Sequence, residues 1–399
     1  MREFKIPFFL VIRYLKHGNK WTLSLIIVLM SIAFINLVFV TSLFNGIIES
    51  SNNQVINTYT GHIMMMPLEG EELISNEDSV MERILATDGV VSATPQFFVP
   101  GRISYKKISG NWQIIAVDPS LESKVMNIHE NMISGSFLED EDLDQVIIGR
   151  QIAGGEEIEM NAVSFKGAKV GEKVTLSLHG IEKEFTIKGI FYTKFIDTDL
   201  RVFVSRKAIE KMIPHYKKIC SNINIRITHT GDERKVISNL EKGITEGVFN
   251  TWKDVAGFMD SITESFGVIN TLMTMVGMMI AAVTIFIVIY VDISSKRQEI
   301  GVLRAIGIKP YLIRMSFVLQ SIVYSFMGVV LGGLFLMFVI VPYMEVHPFE
   351  LPIGDAVLAV SQADFIFRTT LIIVVGTISG FIPAFVITRQ KLLDSIFNR

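Results

Sequence analysis

The chain has 399 residues, half of them hydrophobic, with 10% aromatic and 19% charged residues and a formal net charge of −3. That composition is too apolar for an ordinary soluble protein, and its weakly acidic balance disfavours nucleic-acid binding. A single cysteine, Cys220, excludes an internal disulfide, and we expect its thiol to be buried rather than reactive.

Residues 1–20 place Phe4, Pro7, Phe8, Leu10, Val11, Tyr14 and Leu15 beside Arg13 and Lys16. This pattern predicts a helix lying in the cytoplasmic interface of a membrane, with a plain extension of the next helix as the alternative. Residues 21–45 follow as the first of four apolar stretches, the others being 266–291, 311–341 and 365–387. Each is long enough to span a bilayer, which takes about 20 apolar residues. The first run exceeds the roughly 7–15 residues of a signal-peptide core and is followed by Leu43-Phe44-Asn45-Gly46, not a small-x-small site, so it reads as a retained span.

Charge sets the expected orientation. Arg2, Lys5, Arg13, Lys16 and Lys20 precede the first span. Lys296, Arg297, Arg304, Lys309 and Arg314 lie between the second and third, and Arg389, Lys391 and Arg399 follow the fourth. Residues 342–364 carry Glu345, Glu350, Asp355 and Asp364 but no Lys or Arg. The positive-inside rule then puts both termini in the cytoplasm and residues 46–264 outside. That outside region is acidic, with 32 Asp plus Glu against 23 Lys plus Arg.

Residues 46–264 are enough for an independent core. A β-like run, His62–Met66, precedes a helical stretch at 78–86 and a second β-like run at 90–99. Near the end, a helical stretch at 206–212, alternating residues at 222–227, a helix at 232–241 and a short strand near 247–252 complete a similar set. Residues 100–204 between them are short strands broken by Gly, with Lys173–Leu178 and Lys183–Ile190 as a hairpin around His179-Gly180. The fold expected is an α+β subdomain split in sequence, carrying a mostly β insertion.

In the third and fourth stretches, Gly328 and Gly332 and then Gly376 and Gly380 are spaced four apart. Such spacing lets helix backbones approach closely in lipid, within one chain or between two. Pro383 should kink the fourth span. Arg368, near the outer end of that span, should snorkel to water, which argues against ion-coupled transport.

Chemical motifs are absent. No Gly-x-x-x-x-Gly-Lys-Ser/Thr loop, His-Glu-x-x-His, paired-cysteine zinc pattern or Gly-x-Ser-x-Gly elbow occurs. Asp140, Asp142 and Asp144 alternate as in a calcium loop, but Gln145 and Gln151 stand where Gly and Glu are required, so a solvated acidic turn is expected. His215 and His229 lack companion ligands. We expect no metal site, no catalytic residue and no cofactor.

Residues 293–310 are different. A basic, helix-prone segment sits between two apolar runs, with Ile300, Leu303 and Ile306 able to form one apolar stripe among Arg297, Glu299 and Arg304. A short helix there, 294–306, is placed to be pushed from the cytosol.

The order of one span, a large outside domain and three spans resembles the FtsX/MacB-type permeases of ABC transporters. The run Lys296-Arg297-Gln298-Glu299-Ile300-Gly301-Val302-Leu303-Arg304-Ala305-Ile306-Gly307 is similar to that family's coupling-helix signature. Gly89–Pro95, Val170–Leu176 and Ile187–Phe191 are similar to runs in its periplasmic domains. In length and order the chain resembles the lipoprotein-releasing LolC/LolE branch, whose opening is echoed by Phe44-Asn45-Gly46 and Gly61-His62-Ile63.

The resemblance implies four transmembrane helices with a MacB-like periplasmic core domain inserted after the first, and an FtsX-like permease domain at 265–399. It implies a non-catalytic subunit in a bacterial inner membrane that binds no nucleotide itself. ATP would be held by a cytosolic ABC ATPase, in two copies, with a second permease chain, identical or paralogous. Lys296, Arg297, Gln298, Glu299, Ile300, Gly301, Leu303 and Arg304 would receive the push. Arg297 and Arg304 would pair with carboxylates, while Ile300 and Leu303 would fill an apolar floor. A lipoprotein would be cargo, membrane lipid a neighbour, and a periplasmic chaperone a further candidate partner. Phe39, Val40, Leu43, Phe44 and Ile47 would face substrate from the first span, and Ile262, Phe266, Ile269, Leu272 and Met273 from the second. Bulk lipid would favour the same residue types.

Three positions depart from the pattern. The link Leu178–Ile181 is too short for the hook with which LolC recruits its chaperone. Gln320 stands where many relatives carry Glu, and the tail Gln390–Asp394 lacks an Asp-Pro step. Alternative readings are a MacB-like exporter of peptides or antibiotics, an FtsX-like regulator of an envelope enzyme, and an anchored binding domain without an ATPase.

Overall fold

The computed structural model describes residues 5–155, 163–178, 180–351 and 354–389. The chain divides into two compact units: a helical one, up to Ile48, from Ser265 to Phe349 and from Ala356 onward, and an α+β one at 49–264 and 350–355.

The helical unit is organised by four helices, Lys20–Val55, Gly257–Ser295, Pro310–Phe335 and Gln362–Arg389. Each carries a segment long and apolar enough to cross a membrane. The third is prolonged by a π-helical turn, Leu336–Ile340, and a further helix, Val341–Val346. Two shorter helices flank the bundle, Lys5–His17 and Arg297–Ala305.

The small residues decide the packing. A Cβ added at Gly328 would lie 2.5 Å from Met30 Cβ, and one at Gly332 3.0 Å from the Ser31 carbonyl, so the third helix rests on the first. A Cβ at Gly376 or Gly380 would meet Ser325 Oγ or Ser321 Oγ at 1.9 or 2.1 Å, so the fourth rests on the third. These glycines serve contacts within one chain, which the sequence left open. Pro383 lies inside the fourth helix, which continues past it to Arg389. Arg368 does not stand free at the helix surface: its side chain is only 5% exposed, while its neighbours Ile366 and Phe367 are 65% and 60% exposed.

In the α+β unit, four strands form the split subdomain in the order Val248–Thr251, Ile63–Met66, Asn222–Ile227, Val90–Val99, all neighbours antiparallel. Helices Glu77–Leu85 and Glu233–Leu240 cover it around Ile63, Met65, Val80, Ile84, Ile223 and Leu240. Val90–Val99 is long enough to serve twice. Its first residues pair with Asn222–Ile227, and its last with Gln113–Val117. Through that strand the inserted β region continues the same sheet, by way of Arg201–Ser205, Gln145–Gly149, Ile181–Phe191, Lys173–Leu178, Gly101–Tyr105 and Ile108–Gly110. The hairpin register sets Leu178 opposite Ile181, with residue 179 outside the described residues.

The acidic turn holds no metal-like cluster among the described residues. Asp140 Oδ1 accepts from the Ser120 N–H at 3.1 Å, Asp142 Oδ2 from Lys188 Nζ at 2.6 Å, and Asp144 Oδ1 pairs with Lys183 Nζ at 2.5 Å. Cys220 is buried.

Candidate functional site: the short helix and its root

The short helix begins after Lys296 and ends in a glycine cap. Gly307 takes φ +91°, its N–H bonds the Arg304 carbonyl at 3.1 Å, and the Ile308 N–H bonds the Leu303 carbonyl at 3.1 Å. Only glycine adopts that conformation cheaply, and Pro310 then opens the third long helix at its first position.

Its burial corrects the expected stripe. Ile300 is fully buried and belongs to the bundle's own core, together with Phe317, Ile293 and Ile313. Gly301 is also buried, and Leu303 packs partly against that core. The apolar residues left on the surface are Val302 and Ile306, 50% and 70% exposed. In this chain the Ile300 side chain is thus taken up by the bundle's own core. Gln298 and Glu299 are exposed, while Lys296, Arg297 and Arg304 are half-buried. The helix also forms one wall of a groove of about 580 Å³. Glu299, Val302 and Leu303 line it opposite Arg13, Tyr14 and His17 of the N-terminal helix.

The root of the helix is a buried polar network that sequence patterning missed. Asp292, 5% exposed, lies in the last turn of the second long helix. Its Oδ2 accepts from Lys296 Nζ at 2.8 Å, Gln320 Nε2 at 3.2 Å and Tyr324 OH at 3.5 Å. Gln320 Nε2 also donates to the Tyr324 hydroxyl. The Lys296 ammonium lies 4.9 Å from the Tyr14 ring centroid, Tyr14 stacks on Phe317 at 5.9 Å, and Tyr14 hydrogen-bonds Glu299. One ion pair with neutral donors thus binds the short helix to the N-terminal, second and third helices. Gln320 suits this place because its amide donates to Asp292, whereas a glutamate would set two carboxylates together.

The first two long helices meet along polar rungs. Thr41 Oγ1 lies 3.3 Å from Thr274 Oγ1, and Asn270 Nδ2 donates to Asn45 Oδ1 at 3.2 Å. Asn45 Nδ2 also donates to Asp364 Oδ2 at 3.0 Å, and a Cβ at Gly46 would meet the Val357 carbonyl at 1.7 Å. The Phe44-Asn45-Gly46 run thus joins three helices and a loop. Of the residues expected to face substrate, Phe39, Val40, Leu43, Phe44, Ile47 and Phe266 are half-buried, and Ile269, Leu272 and Met273 are exposed. The Ile262 side chain lies outside the described residues. Phe39 lines a groove of about 480 Å³ with Ile32, Asn36, Phe335 and Tyr343, between the first and third helices rather than the first and second.

Residues 271–392 match the FtsX-like permease C-terminal family, and residues 23–242 match the MacB-like periplasmic core domain. A probable export ATP-binding/permease protein of Pseudomonas fluorescens (strain Pf0-1) is 19% identical over 209 residues, covering 49% of this chain and 31% of the relative. The chain thus spans about a third of that curated relative. The crystal structure of the periplasmic region of MacB from Actinobacillus actinomycetemcomitans is 13% identical, covering 52% of this chain and 96% of that one, with a TM-score of 0.37. The extracellular domain of the noncanonic ABC-type transporter YknZ from Gram-positive bacteria is 12% identical, covering 47% and 97%, with a TM-score of 0.34. With more than half of its length matched to one family domain and its last three spans to the other, the chain belongs to the FtsX/MacB-type permeases of ABC transporters.

Proposed function

We propose that this permease is a non-catalytic subunit that converts ATP hydrolysis in a separate cytosolic ATPase into movement of its α+β domain beyond the bilayer. The observation that carries the reading is the root of the short helix. A lever is useful only if its base is held, and the Asp292–Lys296 pair ties it to the second and third helices. The ATPase would meet Gln298, Glu299, Val302 and Ile306, the residues the bundle leaves exposed, with Arg297 and Arg304 at the edges. Binding that differs between two shapes is what allows ATP to drive such a change.

For cargo we favour a lipoprotein drawn from the inner membrane, taken up along the apolar faces of the first two spans. Both termini would lie in the cytoplasm, with two ATPase copies and a second permease chain completing the complex. Export of a peptide or antibiotic is the second reading, favoured by the name of the Pseudomonas relative. A regulator of an envelope enzyme is a third.

Purification of the full chain with its co-expressed ATPase tests the first claim, and acylated protein recovered with the complex tests the second. Absence of any associated ATPase sinks the whole reading. Correct lipoprotein sorting after depletion of the chain rejects the favoured cargo.

A further inference from the structure

Beyond Val55 the first long helix gives way to a π-helical turn, Ile56–Thr60. Such turns are rare and concentrate at functional positions. The Gly61 N–H closes this one on the Ile56 carbonyl at 3.0 Å. At Gly61, φ is +70° and a Cβ would lie 2.9 Å from the Ile225 carbonyl, so the chain runs hard against the strand Asn222–Ile227.

Three successive residues of the turn are gripped from two directions. The Asn57 side chain is held by the split subdomain: its Oδ1 accepts from Arg226 Nη2 at 2.8 Å. The Asn57 carbonyl is held by the inserted region, accepting from the Asn127 N–H at 2.7 Å, and Arg226 Nε donates to the Val125 carbonyl of that region at 3.1 Å. Thr58 is held by the inserted β region: Thr198 Oγ1 donates to the Thr58 carbonyl at 3.2 Å, and the two hydroxyls stand 3.4 Å apart. Tyr59 is sandwiched there too, 3.8 Å from the Arg201 guanidinium and edge-on to Phe195 at 5.4 Å. Thr58, Thr198 and Arg201 are all nearly fully buried.

We propose that residues 56–60 are a rigid joint, with Arg226 and Thr198 as its positioning residues, that makes both halves of the α+β domain follow the end of the first long helix without flexing between them. A flexible hinge would have few buried contacts and solvent-exposed hydrogen bonds; this segment has the reverse. The consequence for transport rests on the proposed function, since only then is there a push to pass on.

Two measurements on the full chain in lipid nanodiscs test the joint. Amide exchange at 56–61 should quicken about tenfold in Arg226→Ala and in Asn57→Ala, as expected for loss of one charge-assisted hydrogen bond. Exchange in Val90–Val99 should stay unchanged. Using both variants guards against one of them failing to fold. In the complex with the ATPase, a disulfide between Thr58→Cys and Thr198→Cys should leave ATP-driven export within about twofold of the reduced protein, because a rigid joint loses nothing when locked. The one native thiol, Cys220, is buried and does not compete. Unchanged exchange in both alanine variants overturns the proposal, as does export abolished by oxidation and restored by reduction. A chain that associates with no ATPase removes the proposed function, and the exchange result still decides the joint.

Discussion

Asp292 in the helical unit and Glu122 in the α+β unit are both buried carboxylates, and their partners differ in kind. Asp292 has a lysine one turn along its chain, with a glutamine and a tyrosine added from the third helix. Among the described residues Glu122 has only neutral direct partners, Thr94 Oγ1 at 2.9 Å and Gln96 Nε2 at 2.8 Å. Burial pushes the Glu122 carboxyl up to about 7, against the opposing pull of those two hydrogen bonds and of the more distant Arg201. A third case, Glu77, lies between them: it is buried, but Arg206 grips both its oxygens, Nη1 to Oε1 at 2.8 Å. A local cation holds a helix at a junction, a bidentate arginine staples two regions of the domain, and neutral donors leave a group that titrates near neutrality.

Breaking the staple should have the largest effect. Arg206→Ala leaves Glu77 buried without its counter-charge, and we expect a loss of about 3–5 kcal/mol, read as the unfolding midpoint of the full chain in detergent. Arg206→Lys should recover only part of it, because a lysine cannot reproduce the two-pronged contact.

The Glu122 comparison gives a pH test. Its folded value lies above the ordinary 4.5, so between about pH 4.5 and 7 the folded state holds a proton that the unfolded state has released. Stability should therefore fall as pH rises through that window, by about 3 kcal/mol from this group. Glu122→Gln should flatten that slope, and an unchanged slope would show that Glu122 is not the titrating group.

Asp292→Asn should cost less, about 1–3 kcal/mol, because Gln320 and Tyr324 can still bond the amide. Gln320→Glu should destabilise in the same direction by setting two carboxylates side by side. Both are read by thermal unfolding and by retention of the co-expressed ATPase on purification, which should fall further than stability does. The smallest change in stability, within about 0.5 kcal/mol, belongs to exposed Val302→Glu and Ile306→Glu. If these two residues contact the ATPase, both variants should fold normally yet fail to retain it on co-purification.

The short-range features were legible from composition and spacing. Apolar runs must find lipid or a core wherever they fold, and Gly307 and Pro310 bound the short helix through their own backbone preferences. The helices and strands of the split subdomain likewise followed from local periodicity. The side of the short helix that turns inward was not legible. Ile300 and Ile306 are both apolar, and only packing against Phe317 and Ile313 decides that the first is buried and the second exposed. Arg368 follows the same rule, because position along a span does not reveal whether a side chain is buried.

The sequence by itself determined the membrane-spanning helices, the class of the domain between the first two and the presence of a short basic helix, because those depend on the hydrophobicity and backbone preferences of neighbouring residues. Only the tertiary structure decided that Asp292 meets residues 28 and 32 positions away. It alone joined the two β regions through Val90–Val99 and closed Arg226 on Asn57 across 169 residues. Contacts between distant segments arise from the packing of whole elements, and no local pattern encodes them.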